Sequence, residues 1–214
     1  MPPNPNVPVP RASDGAPFLI LASGSPRRRE LLEEAGYRFR VEVPDEGAEC
    51  GVCSRETPPQ TVIRLAFQKA ENVAARLGQG RLGQGMILAA DTLAEHQGTA
   101  LGKPAHREHA RAMLRRLQGT RHRVYTGVCL WDAATGKRLV RGAETKLEME
   151  ALSDETIEDY LDTHLWEGKA GAFGYQDGND WLRIEEGSPT NVVGLPLELL
   201  AEMLESFDRD AVRL

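Results

Sequence analysis

The sequence is poor in the features that mark several protein classes. It has only three cysteines, Cys50, Cys53 and Cys129, in 214 residues. An odd, sparse set excludes the disulfide framework of a small secreted domain, and a reducing cytoplasm is the expected compartment. Cys50 and Cys53 have C-x-x-C spacing, but they follow the polar stretch around Glu46 and Glu49, and no further ligands stand nearby at zinc-site spacing. Neither redox nor metal use is expected of them. Cys129 falls in the apolar run from Gly127 to Trp131 and reads as a small core residue. Apolar runs such as Phe18 to Ala22 and Met86 to Ala90 are far too short to span a bilayer, so no membrane association is expected. Basic residues do not predominate either: 26 Lys and Arg against 32 Asp and Glu give a formal net charge of −6. With an aromatic content of 6%, that balance argues against a protein that coats or stacks on nucleic acid. Any anion recognition must come from a local cluster.

What is present fits a folded chain: 41% hydrophobic and 27% charged residues are ordinary values for a globular protein. Pro2, Pro3, Pro5, Pro8, Pro10 and Pro17 crowd residues 1–17, which lack the apolar segment of a secretory signal and read as an extended, disordered tail. Residues 18–208 read as one domain and 209–214 as a C-terminal tail. Phe18 to Ala22 has the unbroken apolar pattern of a strand buried on both faces. Ser23-Gly24-Ser25 breaks it, and Ser25 with Pro26 predicts a helix N-cap and first turn running to about Gly36. Pro59 to Leu77 predicts a long helix and Met86 to Thr92 a second buried strand. Gln97-Gly98 predicts a hairpin turn back along Ala100 to Lys103, followed by a helix over His106 to Leu117. Strands are expected over Val124 to Trp131, Lys137 to Met149 and Asp180 to Ile184, a Ser153-capped helix ends near Leu161, and a last amphipathic helix covers Leu195 to Phe207. Helices alternating with strands and hairpins predict an α/β fold with a mixed sheet.

Four segments carry candidate chemistry. In Ser23-Gly24-Ser25-Pro26-Arg27-Arg28 a buried strand gives way to a helix, whose free backbone N–H groups and dipole favour an anion. Helical spacing sets Arg28 on the inward stripe with Leu31, Leu32 and Ala35, while Arg29 faces away. The alternative is a solvated face in which Arg27 to Arg29 pair with Glu30, Glu33 and Glu34. Lys69 lies within the stripe Val62, Leu65, Ala66, Val73 and Leu77, so it must snorkel, pair with a carboxylate or reach a polar cleft. Asp91-Thr92 follows an apolar run, at the expected C-terminal end of a strand, where α/β proteins bind ligands. A two-residue turn at Gln97-Gly98 sets Thr92 opposite Lys103, so Asp91 could hold a metal or activate water, or simply form a structural ion pair. Gly168 to Gly178 is glycine-rich without the Walker A pattern, and Gln176 within it offers amide edges suited to a base. G-x-S-x-G, H-E-x-x-H and G-x-G-x-x-G are absent, and His106 and His109 read as surface residues.

As an ordered set these segments resemble the Maf family of nucleoside triphosphate pyrophosphatases, described also as septum-formation inhibitors. The resemblance rests on Leu21 to Arg28 with Glu30-Leu31-Leu32, Leu65 to Ala70, Ala90-Asp91-Thr92, Gly102-Lys103-Pro104, Lys169-Ala170-Gly171 and Val193-Gly194-Leu195-Pro196. It implies a mixed sheet flanked by helices, two lobes around a central cleft related in shape to inosine triphosphatases, and a possible homodimer. It further implies cleavage of a nucleoside triphosphate to the monophosphate and pyrophosphate with a divalent cation, Mg²⁺ or Mn²⁺. Asp91 matches the position of the general base or metal-associated carboxylate, with Lys69 and Lys103 in catalytic support. Ser23, Ser25, Arg27, Arg28, Thr92, Lys169 and Gln176 are the implied substrate-binding residues, of which Arg28, Thr92 and Gln176 match the branch acting on dTTP and UTP. Glu49 is the second implied metal ligand; the family's Asp-Glu pair here reads Ala48-Glu49. A broader, housecleaning pyrophosphatase and a non-catalytic nucleotide-binding regulator of division remain the alternatives.

Overall fold

The computed structural model describes residues 18–48, 56–82, 85–132 and 135–211. The proline-rich segment, Glu49, Cys50 and Cys53 lie outside them. The first apolar run forms β1 (Leu19–Leu21), whose residues are all buried. Pro26 opens α1 (Pro26–Glu34), which stops before Gly36, where φ is +79°. Then come β2 (Phe39–Val41), the long α2 (Pro58–Leu82), β3 (Met86–His96), β4 (Thr99–Leu101), α3 (Arg107–Leu117), β5 (Arg121–Asp132), β6 (Arg138–Met149) and α4 (Asp154–Asp162). Two 3₁₀ turns, Ala170–Ala172 and Tyr175–Asp177, precede β7 (Leu182–Glu186), α5 (Pro189–Val193) and α6 (Leu197–Ala211).

The strands make one mixed sheet in the order β2-β1-β3-β5-β6-β7, with β4 added to β3. β1 pairs in parallel with both β2 and β3, while β4, β5 and β6 enter antiparallel ladders. Alternation along β3 sends Leu88 and Ala90 to one core, under α1 and α6, and Ile87 and Ala89 to another, under α2. A third core gathers α3, α4 and the 3₁₀ segment against the far halves of β3, β5 and β6. The two halves of the molecule flank a cleft.

β3 corrects one expectation. Asp91 sits in mid-strand rather than at a strand end, because β3 continues to His96. What ends is its neighbour: β1 pairs with Met86–Leu88 and β4 with Ala94–His96 on the same edge. Ala89 to Leu93 therefore have no strand on that edge, and the cleft opens there, beyond the carboxyl ends of the parallel strands. The predicted hairpin register holds, with Ala94 opposite Leu101. The ladder stops before Lys103, however: the Gly102 carbonyl accepts from Gly171 N–H at 3.0 Å and Pro104 has no N–H to donate. Gly127, opposite Asp91, is required by close approach, since a Cβ there would lie 2.2 Å from the Val62 carbonyl oxygen of α2.

Candidate active site

A cleft of about 700 Å³ is lined from both halves of the molecule by residues of the β1–α1 loop, α2, mid-β3 and the segment from Glu167 to Asp177. Such a volume is typical of small-molecule sites. Ser23, Ser25, Arg27, Arg28, Lys69, Asp91, Thr92, Lys103, Lys169 and Gln176 all border it. The four sequence segments thus converge. Glu49 lies outside the described residues.

Asp91 and Thr92 are adjacent but face opposite sides of the sheet. Asp91 points toward α2, where Lys69 waits on the buried stripe, 7% exposed. The Lys69 ammonium donates to Asp91 Oδ1 at 2.5 Å, with both side chains largely buried. Pairing, not snorkelling, is therefore the solution for this lysine. Lys103 stands exposed on the cleft wall after β4 has ended, in the same cleft as Asp91.

On the other side of the sheet Arg28 is 8% exposed, inward as its helical position predicts, while Arg29 is exposed and pairs with Glu33 at 3.8 Å. Arg28 Nε donates to the Gly194 carbonyl at 2.7 Å, Nη1 to Ser23 Oγ at 3.0 Å and Nη2 to Thr92 Oγ1 at 3.1 Å. Thr92 Oγ1 lies 2.9 Å from Thr126 Oγ1, which donates to the Asn191 carbonyl at 3.2 Å. Thr92 thus belongs to a chain of hydroxyls that aims the guanidinium. Ser25 takes the N-cap backbone conformation, but its side chain makes no cap bond; its N–H donates to Ser23 Oγ at 3.2 Å.

Across the cleft, Lys169 pairs with the Asp177 carboxylate. Burial depresses the Lys169 pKa, Asp177 opposes that effect, and Arg27 adds to the lowering. Arg27 Nη2 donates to the Gly168 carbonyl at 2.9 Å, tying α1 to the opposite wall. Its own pKa is lowered by burial, against the raising fields of Asp177 and Glu30. Gln176 is half-buried in the Tyr175–Asp177 turn. Sequence reasoning did not single out Asp177, Tyr160 or Thr126. Asp177 directly follows Gln176, and nothing in its spacing announces its partners.

Fold and site together define an α/β protein whose cleft, beyond the carboxyl ends of parallel strands, gathers cations from separate segments, with Asp91 paired to Lys69 and Asp177 to Lys169. The chain belongs to the Maf family: the family model described as Maf-like protein matches residues 18–207. It is similar to the dTTP/UTP pyrophosphatase of Rhodopirellula baltica, 53% identical over 92% of this chain and 85% of that protein. It is also similar to the dTTP/UTP pyrophosphatase of Pelotomaculum thermopropionicum, at 43% over 88% and 96% respectively. Among solved structures, the Staphylococcus aureus Ham1 protein aligns with a TM-score of 0.48 at 13% identity, covering 88% of this chain and 98% of that one.

Proposed function

We propose that the protein hydrolyses dTTP and UTP to the nucleoside monophosphate and pyrophosphate. The observation that carries this reading is the Lys69–Asp91 pair, which shares one cleft with basic side chains of α1 and with Lys103 and Lys169. In a water-excluded site, positioned cations stabilise charge that develops on a transferring phosphoryl group, and most of phosphoryl-transfer catalysis is of this kind. Asp91 accepts a proton from the attacking water as its oxygen bonds to the α-phosphorus, and the bond to the β-phosphoryl oxygen breaks as pyrophosphate leaves. Lys69 fixes the rotamer of Asp91. Arg27 and Lys103 neutralise the polyphosphate, and Arg28 holds the Ser23 loop and the Gly194 carbonyl in register beneath it. Gln176 meets the base. The acidic net charge is no obstacle, because the field that matters to the substrate is local.

The donor chemistry suits Mg²⁺ or Mn²⁺. Such cations commonly take one or two carboxylates and complete their shell with substrate phosphates and water. Lys69 engages one oxygen of Asp91, and the carboxylate has a second. Asp91 would hold the cation, with Glu49 as the further protein ligand that the resemblance implies, and the triphosphate would complete the ligand set. When bound, the cation supplies charge neutralisation and a more acidic water. A cytoplasmic location follows from where nucleoside triphosphates are found; no helix among the described residues is long and apolar enough to cross a membrane.

Incubation with dTTP, UTP, CTP, GTP and ATP in Mg²⁺, scored for pyrophosphate release, tests the reading. Release is expected from dTTP and UTP at kcat/KM about ten-fold or more above the rest, the scale of hydrogen-bond discrimination between bases. Uniform turnover of all bases would indicate a housecleaning enzyme, and binding without turnover a regulator.

A further inference from the structure

We propose that Asp177 is a positioning residue for base selection: its carboxylate fastens the Lys169 ammonium and the Tyr160 hydroxyl to the turn that carries Gln176. This rests on the reading of Gln176 as the side chain that meets the base.

The Tyr175–Asp177 turn lies between Gly174 and Gly178, and φ at Gly178 is +76°. A short turn between two glycines has little backbone stiffness of its own, so a side chain inside it must be held from outside. Asp177 supplies that hold. It lines the cleft, yet its side chain is only 8% exposed. One carboxylate oxygen takes the Lys169 ammonium and the other accepts from the Tyr160 hydroxyl at 2.7 Å.

Both partners are fixed to the body of the protein. Tyr160 belongs to α4 and meets Trp181 edge to face at a centroid distance of 5.6 Å. Burial and the neighbouring carboxylate push its phenol pKa upward, which keeps it a proton donor. Lys169 opens the segment that Gly171 pins to the Gly102 carbonyl and that Gly168 ties to Arg27. The ion pair also fills the space above Gly174, where a Cβ would lie 2.3 Å from Asp177 Oδ2 and 2.4 Å from Lys169 Nζ.

Charge points the same way. An ionised carboxylate on the wall of a polyphosphate cleft repels substrate unless it is neutralised. Lys169 neutralises it, so Lys169 serves Asp177 first and the pair adds no net charge to the wall. Low exposure and two charge-assisted bonds fix the geometry more tightly than a surface pair would. Gln176, between Tyr175 and Asp177 in sequence, is thereby presented in one orientation. That is what a hydrogen-bonding reader of a pyrimidine edge requires.

The test uses the full chain as wild type, Asp177→Asn and Tyr160→Phe, with kcat and KM for UTP, CTP and GTP measured in Mg²⁺ across pH. Asp177→Asn is expected to reduce the UTP-to-CTP ratio of kcat/KM about ten-fold, mainly through KM, as expected for the loss of one positioned polar contact. It also strips a buried ammonium of its counter-charge while Arg27 remains beside it. The alkaline limb of kcat/KM should therefore move to lower pH. Tyr160→Phe keeps the packing on Trp181 and should lower the ratio by a smaller factor without moving the limb. A merely structural role would lower Tm or kcat equally for all bases. Unchanged ratios in both variants, with the alkaline limb in place, overturn the proposal. Equilibrium Kd values for UTP and CTP, measured with Ca²⁺ in place of Mg²⁺, read the same ratio without turnover. A wild type that binds with base preference but releases no pyrophosphate refutes the hydrolase reading and leaves the role of Asp177 to be decided by the variants' Kd ratios.

Discussion

Asp91 and Lys69 solve each other's burial problem. Neither charge is stable alone between α2 and the sheet, and at 2.5 Å each supplies what the other lacks. Asp91→Asn keeps the shape and removes both the base and the better metal ligand. A kcat loss of about 10²-fold or more is expected, on the scale of general-base effects. Near-native turnover in a folded Asp91→Asn protein would remove this residue from the reaction. Gln176→Glu exchanges two amide donors for acceptors. kcat/KM for UTP and dTTP should fall relative to GTP, whereas unchanged ratios would show that Gln176 does not read the base. The inward position of Lys69 was legible from helical spacing alone. Its partner was not, because Asp91 lies 22 residues away on another element and hairpin arithmetic favoured Lys103. Thr92, a substrate contact by resemblance, borders the cleft and also bonds to Arg28 and Thr126, so it supports the guanidinium as well. Those two bonds were not legible, because spacing along the chain does not say which buried partners a hydroxyl meets.

At the scale of elements, period and breakers served well where segments are long. β1, α1, α2, α3, β5, β6 and α4 all stand close to where apolar spacing and Ser, Pro and Gly punctuation set them. The omissions have physical causes. β2 has three residues, none of them buried, and owes its form to pairing with β1, a term local pattern does not contain. α5 has five residues, too few for a period, although Ser188 and Pro189 mark its start. β3 outran its apolar signal because Asp91 and Thr92 interrupt the pattern where the strand changes edge partners. That exchange makes the site: α2 must lie close enough for Lys69 to reach Asp91, and Gly127 permits the approach. Gly127→Ala would drive a Cβ to 2.2 Å from the Val62 carbonyl oxygen, which backbone can relieve only by moving α2 outward. A loss of about 1–3 kcal/mol is expected from overpacking, with a fall in kcat as Lys69 is drawn off Asp91. Calorimetry and turnover on the same sample check it; a wild-type Tm would show that α2 is not held at this distance.

The whole molecule divides its labour between its halves. Two cores on the faces of β1 and β3 fix the carboxylate, Lys69 and Arg28, while the third core carries the loop of Lys169, Gln176 and Asp177. The third core holds a group that links its stability to pH. His122, 3% exposed, packs edge-on to Phe173 of that loop at a centroid distance of 5.2 Å. Burial, reinforced by His96 beside it, depresses its pKa to about 4, with the Thr120 backbone and Glu95 opposing. In the unfolded chain a histidine titrates near its ordinary value of 6.5. Above that value both states are neutral and the stability is fully present. As pH falls from about 6.5 toward 4 the unfolded state takes up a proton that the folded state refuses, so folding weakens by roughly 3 kcal/mol across that window. Carboxylates titrate in its lower part as well, so the difference between two proteins isolates the histidine. His122→Phe is expected to flatten the fall of the urea midpoint between pH 6.5 and 4 relative to wild type, and to delay the acid loss of base discrimination, because the loop that holds Gln176 rests on this ring. Parallel midpoint curves for the two proteins would show that His122 is already charged in the folded state and that acid acts on the molecule elsewhere.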